Sequence, residues 1–377
     1  VERMNMTARL PGSGGKRPLV LLNHTDVVPV ERQYWEFEPF SGAVVDGVIY
    51  GRGALDMKSM GIMELMAMLL IKRNNLPHSR DIVYMALADE EAGGKWGVDW
   101  MEANHPETLE AEYVINEGGW GNAEVLGTRR PAFNASISEK GPLWLKLTAE
   151  GRPGHGSVPH PDNALERLVR ALFRIREWAR PVQVVPELRE YFERLQRAQV
   201  LKGGASQDAM EQLARENLLA NALLTNTVST TSLHSGMKHN VIPAIAEATI
   251  DCRLLPGTDH EAFTQQVRDV VDDKKVRVEP IFSSDTPASS TGTELFALIE
   301  DVVHDHMEEA LVLPSVSAGF TDSRGFRRHG VEAYGFIPVL LEQDEAATIH
   351  GHNERITVEN LRLGTQILFE TVRRLCT

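Results

Sequence analysis

The sequence predicts an α/β protein built on a mixed sheet, with a smaller α+β domain inserted into it. Three observations carry this expectation. Short apolar runs alternate with helical patterns through the first third of the chain, the rhythm of a partly parallel sheet. Near residue 134 the texture changes to half-exposed strands flanking amphipathic helices. After Pro256 the helical pattern resumes. The expected main domain therefore covers residues 1–133 and 256–377, and the insert 134–255.

The elements follow in order. A Gly-rich turn, Pro11–Gly15, leads into a strand at the apolar run Leu19–Leu22. Met57–Lys72 reads as a long helix carrying Met60, Met63, Met66, Leu69 and Leu70, its methionines serving as flexible core filler. Ile82–Ala88 is a buried strand, followed by a Gly-rich loop and the helical stretch Trp96–Asn104. Tyr113–Ile115 is a third short strand. In the insert, Ala135–Ser138 and Leu143–Ala149 read as antiparallel strands and Ala164–Ala179 as an amphipathic helix. Glu187–Asn221 is mostly helical, and Glu247–Arg253 closes the region as a strand. Helical patterns then cover Glu261–Val271, Gly292–Glu309 and Val358–Leu375.

Composition narrows the function classes. At 377 residues and 42% hydrophobic, the chain is long and apolar enough for about two domains, each with its own core. A formal net charge of −14 argues against a nucleic-acid binder, which carries a basic stripe. The longest apolar stretch, Ile62–Ile71, falls far short of the roughly 20 residues of a membrane span, so no membrane partner is expected. The two cysteines, Cys252 and Cys376, provide neither a disulfide framework nor a thiolate zinc cluster. Val1 opens in mid-pattern, without initiator Met or signal peptide. The N-terminus is read as truncated and the compartment as open, with a cytoplasmic location favoured.

The chemistry concentrates where predicted strands end. Leu19–Leu22 runs into Asn23-His24-Thr25-Asp26, and Ile82–Ala88 into Asp89-Glu90-Glu91. Tyr113–Ile115 runs into Asn116-Glu117, and a fourth expected strand, Ala346–Ile349, into His350-Gly351-His352-Asn353-Glu354. Ligands of open α/β sheets bind beyond the carboxyl ends of the strands. Asp56, in Gly51-Arg52-Gly53-Ala54-Leu55-Asp56-Met57-Lys58, stands before the Met-rich helix, where it serves as N-cap, as ligand, or as both. Histidines and carboxylates without thiolate suit zinc, with cobalt or manganese open by ligand type. The inventory exceeds one four-coordinate ion with an open position. It fits two ions about 3.5–4 Å apart that share a carboxylate. Adjacent acids such as Glu90 and Glu91 are costly to ionise together. Cations relieve this if Glu91 ligates and Glu90 stays unligated as a general base.

From Leu19 to its end the chain resembles the di-zinc amidohydrolase and exopeptidase family of aminoacylases, acetylornithine deacetylase, succinyl-diaminopimelate desuccinylase and glutamate carboxypeptidases. The resemblance rests on His24–Pro29, Gly51–Lys58, Asp89-Glu90-Glu91, Glu117-Gly118 and His350–Glu354. It implies a zinc-exopeptidase catalytic domain with an inserted lid that also dimerises, and two Zn ions per chain. Asp56 becomes the bridging ligand, His24 and Glu117 complete one site, and Glu91 and a C-terminal His complete the other. Of the two candidates there, the family pattern selects His350 over His352. Glu90 becomes the general base, and Asp26 orients the His24 ring.

In the lid, Gly151–Ser157 matches the segment whose His, here His155, stabilises the oxyanion. Asn240 and Arg253 match substrate-contacting positions, Arg253 being suited to a carboxylate. Gly319–Arg324 matches a glycine-rich substrate loop, with Gly319 at its start. Phe320 departs from the usual smaller or hydroxylated residue and suggests an apolar contact. The expected activity is hydrolysis of linear amide bonds in N-acyl amino acids or short peptides with a free C-terminal carboxylate. The alternative is a biosynthetic deacylase of the acetylornithine or succinyl-diaminopimelate type. The partners implied are a small-molecule substrate and a second copy of the chain.

Overall fold

The computed structural model describes residues 3–201 and 204–377. The chain forms two compact units, one of Val1–Glu139, Pro186–Gly204 and Pro287–Thr377, the other of Lys140–Val185 and Ala205–Thr286. The expected boundaries at 134 and 255 are thus corrected, for three packing reasons. Ala132–Glu139 is hydrogen-bonded into the sheet of the first unit, and its Ala135–Ser138 segment is buried rather than half-exposed. His260–Val271 and Val276–Ser283 belong to the second unit, where the strand pairs with Gly141–Glu150. The helix Pro186–Arg197 returns to the first unit, where Arg194 donates to the Val312 carbonyl (2.8 Å) and pairs with Glu300.

The first unit is organised by a seven-stranded mixed sheet. Its order is Met6–Leu10, Ile82–Leu87, Leu19–His24, Tyr113–Asn122, Glu332–Leu341, Ala132–Glu139, Leu311–Ser317. Met6–Leu10 runs antiparallel to its neighbour, whereas the next three pairings are parallel. Successive side chains of a strand face opposite sides. Leu19 and Leu21 therefore join the core under the helices Lys58–Arg73, Glu294–His306 and Val358–Cys376. Val20 and Leu22 join a second core with Val98, Met101 and Phe326. A strand covered on both faces reads as a continuous apolar run, which is how Leu19–Leu22 and Ile82–Ala88 stand out in sequence. The methionine-rich helix begins at Lys58 and buries Met60, Met63 and Met68. Gly364 lets the C-terminal helix approach it, since a Cβ there would collide with the Met63 sulfur.

Two expected strands differ. Tyr113–Asn122 continues well past Ile115, so Glu117 lies inside a strand, at an irregularity where Gly118 takes φ +116°. Ala346–Ile349 is not a strand. Gln343–Ala346 is a short helix and a turn follows, with Ala347 N–H on Gln343 O and Thr348 N–H on Glu345 O (both 3.0 Å). A four-residue apolar run has no periodicity to separate the two outcomes. The sheet strand here is the upstream Glu332–Leu341.

The second unit is a four-stranded antiparallel sheet in the order Thr227–Ser235, Ile245–Leu254, Gly141–Glu150, Val276–Ser283. One face carries the helices Ala164–Glu177 and His260–Val271 over a core that includes Leu145, Leu147, Ile250 and the free thiol Cys252. Alternate burial along Ile245–Leu254 shows the one-sided packing of this sheet. Among the described residues, no helix is long and apolar enough to cross a membrane.

Lys140 opens the second unit fully buried, its Nζ donating to the carbonyls of Ala222 and Thr225 (both 2.8 Å) and to Thr227 Oγ1 (3.0 Å). Burial, followed by the charges of Arg253 and Arg180, pushes its pKa down to about 7. An unfolded lysine titrates near about 10.4. Between these values the unfolded chain binds more protons, so stability rises with pH through that window. Urea unfolding at stepped pH is expected to show this rise in the native protein and to lack it in Lys140→Met. Parallel curves would remove Lys140 as its source.

Candidate metal centre

Loop and strand ends of the first unit bring the expected ligands together. His24 ends the strand Leu19–His24, and Asp56 lies just before the helix Lys58–Arg73. Glu91 sits in the short helical turn Glu90–Ala92 after Ile82–Leu87, Glu117 lies within its strand, and His350 occupies the turn after Gln343–Ala346. Their polar atoms form two groups, His24–Asp56–Glu117 and Asp56–Glu91–His350, each with ligand atoms within 4.8 Å of one another. Asp56 belongs to both and faces them with different oxygens. Its Oδ1 lies 3.0 Å from His24 Nε2, and its Oδ2 lies 3.0 Å from His350 Nε2. Glu117 Oε1 is 3.5 Å from His24 Nε2, and Glu91 Oε2 is 3.2 Å from His350 Nε2. His352 points elsewhere, to Glu31 at 3.2 Å.

Whether this set suits metal ions can be judged from its own polar atoms. Glu91 Oε1 is buried without a hydrogen-bond partner. Three carboxylates and two imidazoles converge in these two groups. Such a concentration of histidine and carboxylate acceptors fits a metal cofactor. Asp89 and His350 take left-handed backbone angles (φ 72° and 59°), conformations that non-glycine residues hold where surrounding contacts over-determine them.

Burial opposes a proton on His24, yet the Glu117 charge and the Asp56 hydrogen bond hold its pKa well above the usual range. Hydrogen bonds to Asp56 and then Glu91 raise His350 to about 10. Burial also works against a charged Asp56, but hydrogen bonds from His24 and His350 outweigh it and keep this carboxyl far below its usual range. Glu117 rises to about 7 through burial and the Asp56 charge. Glu90, only 6% exposed, is pushed well above the carboxylate range by burial and then by Glu117. Glu90 belongs to neither ligand group.

Asp26 has a different job from the expected one. Its carboxylate is 3.7 Å from His24 Nδ1, beyond hydrogen-bond reach, and its backbone carbonyl faces that nitrogen instead (3.1 Å). The Asp26 carboxylate accepts from the backbone N–H groups of Glu90 and Glu91 (3.2 Å each). Ring orientation thus falls to the main chain, while the side chain holds the turn that carries the two acids.

Other buried polar residues support the site without any sequence signal beyond their place near a motif. Asn23 donates to Glu64 (2.7 Å), a fully buried carboxyl on the methionine-rich helix. Glu139 accepts from Thr321 N–H (2.9 Å), Thr321 Oγ1 (2.7 Å) and Arg327 (2.7 Å), anchoring the loop that starts at Gly319. Arg324 reaches the Gly93 carbonyl at 2.8 Å and ties the same loop to the Glu90–Glu91 turn. A Cβ on Gly94, which has φ +73°, would lie 2.9 Å from that guanidinium and 3.0 Å from Asp322 Oδ1. Asp322 is buried with neither oxygen hydrogen-bonded, and burial lifts its pKa to about 7. Phe320 packs under the Arg324 guanidinium (5.3 Å). Phe320 is half-buried, and Gly319 beside it is exposed.

In the second unit, His155 and Asn240 are neighbours. His155 pairs with Val241 in a two-stranded ribbon, and Gly156 N–H donates to the Asn240 carbonyl (2.8 Å). Asn240 Oδ1 is buried with no partner. Ser157 N–H donates to His155 Nδ1 (3.2 Å), and Ser157 Oγ lies 2.7 Å from the same atom. A backbone N–H only donates, so Nδ1 is the acceptor and the ring proton sits on Nε2. Arg253 is engaged by Asp251 through two bonds, Nε to Oδ1 (2.8 Å) and Nη2 to Oδ2 (3.0 Å), so a substrate carboxylate at this position would meet a guanidinium already paired within its own strand.

Comparison with known proteins agrees with this architecture. Residues 20–374 match the Peptidase family M20/M25/M40. The chain is 29% identical over 374 residues to an N-fatty-acyl-amino acid synthase/hydrolase of Bos taurus, covering 95% of this chain and 74% of that protein. It is 33% identical over 355 residues to aminoacylase-1 of Sus scrofa, covering 92% and 77% respectively. Among solved structures, the M20 family metallo-carboxypeptidase Sso-CP2 of Sulfolobus solfataricus superposes with a TM-score of 0.75 at 21% identity, over 98% of this chain and 87% of that one. With the match running almost end to end, this protein belongs to the Peptidase family M20/M25/M40.

Proposed function

We propose that the protein is a two-metal hydrolase of N-acyl amino acids or short peptides with a free C-terminal carboxylate. The observation that carries this reading is Asp56, which turns one oxygen to each of two His–carboxylate groups, with Glu90 buried outside both. His24, Asp56 and Glu117 would hold one zinc ion, and Asp56, Glu91 and His350 the other, with cobalt or manganese as substitutes. When bound, the metals supply Lewis acidity and bring the acidity of water into the neutral range. Glu90 takes the proton of the attacking water and delivers it to the leaving amine. Asp26 holds Glu90 in place through its backbone N–H. We assign His155 the role of donating from Nε2 to the scissile carbonyl oxygen, a task that suits its tautomer. Asn240, with its unengaged Oδ1, is assigned to the substrate amide. Arg253 would serve a substrate carboxylate only by exchanging it for Asp251.

The substrate class draws support from the relatives named for N-fatty-acyl-amino acids and aminoacylase activity. A homodimer through the second unit is part of the same proposal. The strand Thr227–Ser235 is an open, largely exposed sheet edge, and the helix Ala164–Glu177 exposes Val169 and Phe173 one turn apart. The test is a hydrolysis panel on zinc- or cobalt-loaded protein, using N-acetyl, N-long-chain-acyl and dipeptide substrates with free or amidated C-termini. Turnover confined to free carboxylates is the expected result. Turnover indifferent to amidation would overturn the substrate class, and no turnover on any member would overturn the reading of activity.

A further inference from the structure

Resting on the reading of both groups as metal sites, we infer that Arg52 and Glu354 are positioning residues for the Asp56–Glu91–His350 group. Glu354 is fully buried and takes four hydrogen bonds, all from one loop. Its Oε2 accepts from Arg52 Nη1 (2.6 Å) and Gly53 N–H (2.9 Å). Its Oε1 accepts from Leu55 N–H (2.7 Å) and Asp56 N–H (2.9 Å). The bridging residue thus hangs by its own backbone from a buried carboxylate. Arg52, 5% exposed and stacked over the Trp35 ring at 5.3 Å, reaches the other way. Its Nη2 donates to the Gly351 carbonyl (2.9 Å) and lies 3.4 Å from the His350 carbonyl.

One buried ion pair therefore spans the backbones of two ligands, Asp56 and His350, that lie on opposite sides of the inserted unit in the chain. Both serve the same metal group. The other group is held differently. His24 and Glu117 sit on strands that pair directly in the central sheet, so only its share of Asp56 depends on the pair. Breaking the pair leaves a buried charge without compensation and frees the Asp56 loop from the His350 turn. The consequence is asymmetric, with the Asp56–Glu91–His350 site weakened more than the His24–Asp56–Glu117 site.

The test is a zinc titration of the full chain against a competing chromophoric chelator, made in two backgrounds that each leave one site. His24→Ala leaves the Asp56–Glu91–His350 site, and His350→Ala leaves the other. Glu354→Gln keeps the side-chain volume but sets an amide NH₂ against backbone donors. It is expected to cost about 10–100-fold in zinc affinity in the His24→Ala background, the usual scale for groups that orient ligands, and clearly less in the His350→Ala background. Arg52→Lys, which keeps the charge but loses the two-way fork, is expected to show the same asymmetry and is read if Glu354→Gln does not fold. Equal losses in both backgrounds, as a merely structural role would produce, or no loss in either, overturn the inference. If the unsubstituted chain binds two zinc ions, such a result leaves the functional reading standing. If it binds none, both fall.

Discussion

A Glu90→Gln protein is expected to bind metal as the unsubstituted protein does and to turn over at least about 10²-fold more slowly, the usual worth of a positioned general base. The two halves of this expectation have separate physical sources. Glu90 lies outside both ligand groups, so its charge is not needed to hold an ion. Glutamine has the same shape and still occupies the buried position, and the Asp26 carboxylate still receives the backbone N–H at residue 90. What the amide lacks is a basic oxygen that can accept a proton from water and return it to an amine. Burial and the neighbouring Glu117 charge already raise the Glu90 pKa, in the direction a base working near neutral pH requires. The measurements are kcat on the best N-acyl amino acid and metal content by elemental analysis. Near-full turnover with normal metal content would remove Glu90 from the reaction. Loss of metal would instead place it among the ligands.

Asp56→Ala is expected to have the larger effect on binding, emptying both groups at once. Each of its oxygens faces a different histidine at 3.0 Å, so one substitution removes a ligand from two sites. It also removes the anion that stands between two imidazoles whose pKa values are raised. The remaining pairs, His24 with Glu117 and Glu91 with His350, are too few for a structural or catalytic zinc site, which uses three or four protein ligands. The loss at each group should exceed the about 10–100-fold that removal of a supporting residue costs. Zinc content after chelator-buffered dialysis, set beside that of His350→Ala, measures this. An Asp56→Ala protein that keeps a tightly held ion would show that the carboxylate is not shared.

Much of the site was legible because ligand chemistry leaves residue-type signals next to strong local patterns. His24 and Glu91 follow apolar runs buried on both faces, whose lack of alternation marks them as central strands. Asp56 precedes a helix with a regular methionine stripe. His350 was reached through its motif although the strand expected before it is a helix and turn. It sits in a turn rather than at a strand end, and the Arg52 guanidinium of a distant loop donates to the Gly351 carbonyl beside it. The domain boundaries failed for a related reason. Pro186–Arg197 is amphipathic like its neighbours in sequence, and only its burial against Val312 and Glu300 assigns it to the first unit.

The sequence by itself determined the sheet-and-helix class and the supply of acids and imidazoles, rather than thiolates, that the fold gathers into two groups. These follow from local periodicity and side-chain chemistry, which a linear chain carries in full. Tertiary structure alone decided the partners. It set the Asp26 carboxylate on two backbone N–H groups rather than on an imidazole, and it closed the Arg253 fork on Asp251. It also hung Asp56 from a glutamate nearly three hundred residues away. Such pairings form because a buried polar group must find a partner somewhere in the fold, and which partner lies within reach is settled only when the chain has packed.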